Sequence, residues 1–351
     1  MKPTICQSDE AADAIEKKSL SRDSAVRRIV HRWRELTDSG RTMVACSGGA
    51  DSMALAIALA SAVADRIVVG HVLHDMRPMA EAGADRDAAR VLADRLGTPF
   101  VERSVRIGRG NVEAEARRVR LAALGELARQ CECRFVATAH HSDDQLETML
   151  MALLRGAGVK GLGGIAQSRP MGVEVGDGDV GMTLVRPMLG VERADAERIC
   201  RSAGVDWRND KTNLDRSRLR AAIRHEVTPA LRKLRPAAAL RAQEASQLVA
   251  EAALVVDDRI GEAFGEALAW PRATLRCERR IVIGGGLRRA FFSLTGDVGA
   301  DTLSKRRVDQ VIKAILDDRC HERRFAWPGG VLVSVAAGLV TMKKTNEESM
   351  R

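Results

Sequence analysis

The sequence predicts an α/β fold: a parallel sheet with helices on both faces, followed by a smaller, mostly helical domain. Three observations predict it. Four short apolar runs alternate with helix-length segments between residues 43 and 154, the rhythm of strand–helix–strand units. The first run ends in Ser47-Gly48-Gly49 and opens straight into an Ala/Leu-rich helix. After Asp206 the alternation stops, and a basic stretch followed by Ala/Glu/Leu-rich sequence takes over. The 351 residues suit roughly two domains.

Residues 1–24 are polar and mixed in charge, and read as a flexible lead. They hold no apolar run of the kind a secretion signal needs. No uncharged apolar stretch of 18 residues occurs anywhere in the chain, so no membrane span is expected and the expected compartment is the cytoplasm. A first helix is expected over 26–36, with a turn at Asp38-Ser39-Gly40. Strands are expected at 43–46, 66–72, 99–105 and 135–139, separated by helices at 51–64, 81–96, 112–130 and 143–154. The Gly-rich residues 156–181 read mostly as loop, 184–189 as a last strand, and 195–203 as a helix stopped by Gly204. These elements make up an expected nucleotide-binding catalytic domain over 25–206. A second, mostly helical domain is expected over 207–343, with a frayed tail at 344–351. Within it the expectations are a long helix at 241–266, a strand at 277–283, helices at 287–293 and 303–316, and a hairpin within 326–342 turning at Gly330 or Gly338.

The chain carries 56 Lys and Arg against 47 Asp and Glu, a net charge of +9 that favours a polyanionic partner. It has no Tyr, six Phe and four Trp, few platforms for binding single strands by stacking. Its seven Cys are scattered with no CxxC pair, which points to reduced thiols and away from a zinc knuckle or iron–sulfur centre.

The chemistry concentrates in three segments. In the first, an apolar strand runs into Ser47, Gly48, Gly49, Ala50, Asp51 and Ser52 and then a helix. Glycines let a ligand approach the backbone, and the helix start offers free N–H groups and partial positive charge, so this is a phosphate site. The lysine of a kinase-type loop is missing, and so is the GxGxxG pattern of dinucleotide binders. Asp51 beside phosphates suits a carboxylate that holds a divalent cation; its simpler use is as a helix cap. In the second, THR-ALA-HIS-HIS at 138–141 leads into a helix on which Asp144 and Glu147 share a face, with His140 just before it. Asp51 and Asp144 would face one another where strand ends share a crevice, and together suit Mg²⁺. In the third, Arg117 on a charged helix start would clamp phosphates or a leaving group, or belong to a solvated Glu–Arg face.

Together these segments resemble the tRNA(Ile)-lysidine synthetase family, a branch of the PP-loop ATP pyrophosphatases with an adenine nucleotide alpha-hydrolase-like fold. The resemblance continues through HVLHDMR at 71–77, VEAEARRVR at 112–120, the long run from Thr138 to Ile165, LVRPML at 184–189, and residues 207–231. It implies ATP-dependent adenylation of the C2 carbonyl oxygen of the wobble cytidine in the isoleucine tRNA with a CAU anticodon. The ε-amine of free L-lysine then attacks C2, giving lysidine, AMP and pyrophosphate. It implies ATP and Mg²⁺ as cofactors, with Ser47, Gly48, Gly49, Ala50, Asp51 and Ser52 as the PP-loop. Asp51 and Asp144 match the metal-associated acids, and Arg117 an arginine near the ATP phosphates. His140 and Glu147 match positions framing the activated base or the lysine. Arg216, Arg218, Arg220, Arg224, Arg232, Lys233 and Arg235 fall in the region expected to contact tRNA phosphates. A homodimer also resembles what the family forms.

The chain departs from the family pattern at Asp75, where Gly is usual, at Leu121, where Tyr is usual, and at Ala221 and Ala222. Longer members carry a further C-terminal tRNA-binding domain. Three other readings stay open on the residues. One is a PP-loop enzyme that thiolates a tRNA base; it needs paired catalytic cysteines, whereas Cys131 and Cys133 make only a CxC and read as structural. The others are a small-molecule ATP-dependent amide ligase and an RNA-binding module with a decayed nucleotide site.

Overall fold

The strand Arg41–Ala45 (β1) is the centre of the fold, with buried Thr42, Met43 and Val44. The computed structural model describes residues 15, 17–75, 79–106, 112–171, 181–208, 219–296, 303–318 and 321–345. The chain divides into two compact units, Met1–Ala250 and Glu251–Arg351.

In the first unit the strands are β1, β2 (Ile67–His74), β3 (Phe100–Val105), β4 (Cys133–Ala137), β5 (Ser168–Pro170) and β6 (Thr183–Val185). They form one sheet in the order β3-β2-β1-β4-β6-β5, parallel except for β5. Neighbouring residues of each strand face opposite sides. Val44, Val69, Phe135, Ala137 and Val185 enter one apolar cluster, while Met43, Val68, Val136 and Leu184 enter another. Both faces are therefore covered, as the near-continuous apolar strands require.

The helices of this unit are α1 (Lys17–Leu20), α2 (Ser24–Leu36), α3 (Ala50–Val63), α4 (Met79–Leu96), α5 (Val112–Gln130), α6 (Ser142–Leu154), α7 (Val159–Leu162), α8 (Arg193–Ser202), α9 (Leu219–Ala222) and α10 (Thr228–Leu234). Asp23 starts α2 by accepting the Ala25 N–H at 2.7 Å, and Val26, Ile29, Val30 and Trp33 form its buried stripe. Helix α3 is buried almost all round, from Ser52 to Ala60, so its small and aliphatic residues form the middle of the core. Residues 156–181, expected as mostly loop, include α7 and β5.

The boundary between units falls at 250/251, later than the expected 206/207. The physical reason lies in α9, α10 and the start of α11 (Ala238–Phe264), which are tied to the first unit by polar contacts. Gln145 on α6 donates to Ser246, and its Oε1 accepts the Ile165 N–H at 2.7 Å. The arginines of α9 and the following turn pair with carboxylates of α6, as described below.

The second unit contains the end of α11, α12 (Arg272–Arg276), α13 (Arg280–Thr295), α14 (Lys305–Leu316), and a four-stranded antiparallel sheet. That sheet has the order β7 (Ala269–Pro271), β10 (Leu339–Lys344), β9 (Val331–Val335), β8 (Arg323–Trp327). The hairpin expected about Gly330 or Gly338 is a meander that turns at both. The strand expected at 277–283 is instead the start of α13. Ile281, Val282 and Ile283 have strand-like character, but Val282, Ile283, Gly286, Leu287, Ala290 and Phe291 bury one helical face.

Two of the glycines that follow, Gly285 and Gly286, are tolerated in α13 because α11 presses against them. A Cβ on Gly286 would lie 2.2 Å from the Phe264 ring, and one on Gly285 2.3 Å from Ile260. Overpacking of this kind costs about 1–3 kcal/mol. Gly286→Ala is expected to lower stability by about that amount despite alanine's better helix propensity, measured by urea unfolding.

Candidate active site

The β1–α3 loop forms at the point where the sheet order reverses, with β1 between β2 and β4. Crevices at such points are where open α/β sheets bind ligands. Gly48 has φ of +84°, and a Cβ there would lie 2.8 Å from the Asp85 carbonyl oxygen. Only glycine fits both the left-handed backbone and the approach of α4. The loop is cross-braced by its serines: Ser47 N–H donates to Ser52 Oγ at 3.0 Å, and Ser52 Oγ donates to the Gly49 carbonyl at 3.0 Å. The Gly48 carbonyl accepts the Arg208 N–H at 3.1 Å. Gly49 is the N-cap of α3, so the first-turn N–H groups of that helix have no side-chain cap. A cleft of about 150 Å³ opens beside it, lined by Ser47, Gly49, His71, Asp85, Arg120 and Arg208 among others. Burial keeps His71 below its usual pKa, and its Nδ1 sits 2.8 Å from the Cys46 carbonyl oxygen.

Across the switch point, β4 leads through Thr138 and His140 into α6. Here the structure singles out His141, the neighbour of the histidine chosen from sequence. Its side chain is 3 % exposed, with Nε2 at 3.6 Å from both Asp51 Oδ2 and Asp144 Oδ2, and Nδ1 at 3.5 Å from Asp143 Oδ2. Asp51 and Asp144, expected to face each other, are thus bridged by one imidazole. Burial alone would discharge His141, but Asp144, Asp51 and Asp143 outweigh it and hold its pKa at about 9.

A folded-state pKa above the ordinary 6.5 means that stabilisation is full below pH 6.5 and is lost as pH rises through about 9. Urea melts without added divalent cation are expected to show falling stability over that window. The slope is expected to flatten in His141→Gln.

His140 differs from its neighbour. Its Nδ1 lies 3.1 Å from Thr138 Oγ1. Burial, aided by Arg186, Arg117 and Arg220, outweighs the pull of Asp144 and holds its pKa at about 4, so the ring is uncharged at neutral pH. Arg117 is exposed on α5, close enough to contribute to that field.

Asp144 and Glu147 do share one face of α6. Glu147 is 2 % exposed and carries two arginines, Arg220 Nε at 2.8 Å and Arg224 Nε at 2.6 Å. The same arginines reach Asp144 Oδ1 at 3.1 and 3.4 Å. Burial disfavours the Asp144 carboxylate, yet His141, His140 and Arg220, with the His141 N–H, hold its pKa below the usual range. Arg224 lies in a widened helical turn, Ile223–Val227, between α9 and α10, the sort of local irregularity that concentrates at functional sites. Arg232 pairs with Asp143 at 2.5 Å and Glu192 at 3.0 Å.

Three of the arginines assigned to tRNA phosphates from sequence therefore lie on carboxylates inside the site. Lys233 and Arg235 are exposed. Arg216 and Arg218 lie outside the described residues. Among the described residues, no group of three or more His, Cys, Asp or Glu is arranged to hold a metal ion. No helix among them is long and apolar enough to cross a membrane. Burial pushes the thiols of Cys133 and Cys200 up to about 12 and raises that of Cys131, so none is a ready nucleophile at neutral pH.

Comparison with known proteins fits this geometry. The family described as the PP-loop domain matches residues 22–231. A tRNA(Ile)-lysidine synthase of Salinispora tropica is 34 % identical over 330 residues, covering 91 % of this chain and 95 % of that protein. One from Geobacter sulfurreducens is 37 % identical over 312 residues, covering 84 % of this chain but 63 % of that protein. The chain thus spans less than two thirds of the length of the Geobacter relative. A solved U34-tRNA thiolase of Methanococcus maripaludis shares the fold, with a TM-score of 0.52 at 16 % identity over 67 % of this chain and 81 % of its own. With a PP-loop domain over residues 22–231 and such identity along most of its length, the chain belongs to the tRNA(Ile)-lysidine synthase family.

Proposed function

We propose that this protein is an ATP-dependent ligase that joins free L-lysine to C2 of the wobble cytidine in the isoleucine tRNA with a CAU anticodon. The observation that carries this reading is the meeting of Asp51, from the PP-loop, with Asp144, from α6, at one buried imidazole across the switch point. One carboxylate reaches out from a phosphate-binding loop, the other from a wall of acid and histidine where a base and an amine would be brought together.

The residues suit Mg²⁺. Such an ion is commonly held by one or two carboxylates, with phosphates and water completing its shell. Asp51 Oδ1 is buried with no hydrogen-bond partner, and Asp144 is the second acid. When bound there, the ion would offset phosphate charge during adenylation. Ser47, Gly48, Gly49 and the start of α3 would hold the ATP phosphates by backbone N–H and hydroxyl groups. Arg117 would lie over the leaving pyrophosphate. In the second half-reaction the lysine ammonium is drawn to Asp144 and Glu147 and gives up one proton to solvent to become the attacking amine, and uncharged His140 takes the amine's second proton as the C2–N bond forms. C2–N bond formation then expels AMP. Arg220 and Arg224 hold both carboxylates in place. Lys233 and Arg235 remain available to tRNA phosphates. The protein would act in the cytoplasm; a homodimer is compatible with this reading.

The raised thiol pKa values of Cys131 and Cys133 speak against the thiolating alternative. The reading is tested by following AMP and pyrophosphate from ATP with and without isoleucine tRNA and lysine. Pyrophosphate release that needs tRNA, with AMP release that needs both tRNA and lysine, is the expected result. Turnover without tRNA would favour a small-molecule amide ligase, and tRNA binding with no turnover would favour an RNA-binding module.

A further inference from the structure

Arg186 is a buried cation that the mechanism above does not use. It follows β6 directly and is 3 % exposed. Among the described residues it forms no ion pair. Its Nη1 donates to the Ala166 carbonyl at 2.5 Å, its backbone N–H donates to the Gln167 carbonyl at 2.8 Å, and its Nε–H is buried without an acceptor. Arginines are rarely so buried unless paired, and a buried donor left unsatisfied asks for an explanation. Arg169 and Arg117 add like charge around it, and with burial they bring its pKa down to about 10. The guanidinium is therefore anchored through Nη1 by one carbonyl. The Nε edge, by which arginine grips a carboxylate two-handed, has no protein partner.

Its surroundings indicate which anion fits. The Thr138 N–H donates to the Val185 carbonyl at 3.0 Å, so the strand extension that carries His140 runs beside Arg186. His140 lies within the field of Arg186, Arg117 and Arg220 as well as of Asp144. The PP-loop that would hold ATP phosphates follows β1, and β4 separates β1 from β6. At about 4.8 Å per strand, Arg186 emerges roughly two strand spacings from that loop.

We propose that Arg186 receives the α-carboxylate of the amino-acid substrate, so that a cationic tail extends towards Asp144 and Glu147. This rests on the ligase reading above and adds the residue that selects an amino acid over a simple amine. No bond is made or broken at Arg186; it binds and orients.

The test compares lysine, lysinamide and cadaverine as acceptors of the activated tRNA, in the wild type, Arg186→Gln and Arg186→Lys. Pyrophosphate release with tRNA but without lysine is followed in parallel. In the wild type, KM for lysine is expected to be at least ~10-fold below that for either analogue, because a site built for a charged group rejects a substrate that lacks it. Arg186→Gln is expected to raise KM for lysine ~10–100-fold and to abolish the discrimination, with Arg186→Lys intermediate. The adenylation half-reaction should continue in both variants. Equal KM values for lysine and lysinamide in the wild type would overturn the assignment even if no variant folds. So would an Arg186→Gln protein that loses pyrophosphate release while keeping its KM for lysine, since that is the behaviour of a phosphate ligand. A wild-type protein that releases pyrophosphate but accepts no lysine would sink the ligase reading itself, and the assignment with it.

Discussion

Asp51→Asn is expected to lower ATP-dependent transfer of lysine to tRNA by roughly 10²–10³-fold, the usual loss when one preorganised electrostatic group is removed from a transition-state site. The asparagine is nearly isosteric, so the loop and helix α3 should persist and the melting temperature should change little. Loss of the carboxylate removes the charge that faces His141 Nε2 at 3.6 Å and the buried Oδ1 that fits a cation. If Asp51 only started its helix, asparagine would serve equally well. Activity within threefold of the wild type would mean that. Asp144→Asn is expected to behave similarly in activity, with a larger stability cost because two arginines and His141 each lose one of their counter-charges.

Glu147→Ala is expected to be the most destabilising single change in the site. The carboxylate is almost completely buried, and its removal leaves Arg220 and Arg224 sharing the single remaining carboxylate of Asp144. Breaking a wholly buried pair costs about 3–5 kcal/mol. The two arginine side chains are 33 % and 25 % exposed, so water offsets part of the loss and about 2–3 kcal/mol is expected. Glu147→Gln keeps acceptors for both guanidinium groups and should cost less. Urea unfolding of the two variants checks this ordering. If alanine were no worse than glutamine, the network would be incidental to the fold. Activity should fall in both variants, because each loosens the two arginines that also hold Asp144.

Much of this architecture was legible in the residues. The alternation of apolar runs and helices gives a parallel sheet, and the Ser-Gly-Gly-Ala-Asp-Ser turn lies at its switch point. The histidine doublet was harder to read. Periodicity assigns no special face to His140 or His141, and the choice depends on which ring turns under the start of α6 towards Asp51. That is a tertiary fact. The arginines of 219–232 were similarly ambiguous. A basic stretch in a chain of positive net charge reads as an RNA contact, but buried carboxylates on α6 need counter-charge, and Arg220, Arg224 and Arg232 supply it. The same pairing carries the first unit past residue 206. The misread strand at 277–283 has a local cause. Three β-branched residues followed by three glycines look like a strand and a turn, whereas Gly285 and Gly286 are the places where Ile260 and Phe264 of α11 come close. Arg186 drew no attention as part of an LVRPML run, because only its burial and its missing partner mark it out.

The central claim is that one ATP site activates a tRNA base for attack by lysine. The measurement that tests it most directly is transfer of labelled lysine to an isoleucine-tRNA transcript with a CAU anticodon, in ATP and Mg²⁺. The methionine tRNA with the same anticodon and the Asp51→Ala and Asp144→Ala proteins serve as controls. The account predicts label in the isoleucine tRNA alone, dependent on ATP and lost in both variants. Pyrophosphate release without any transfer of lysine would contradict it, leaving the nucleotide site intact but the nucleophile wrong.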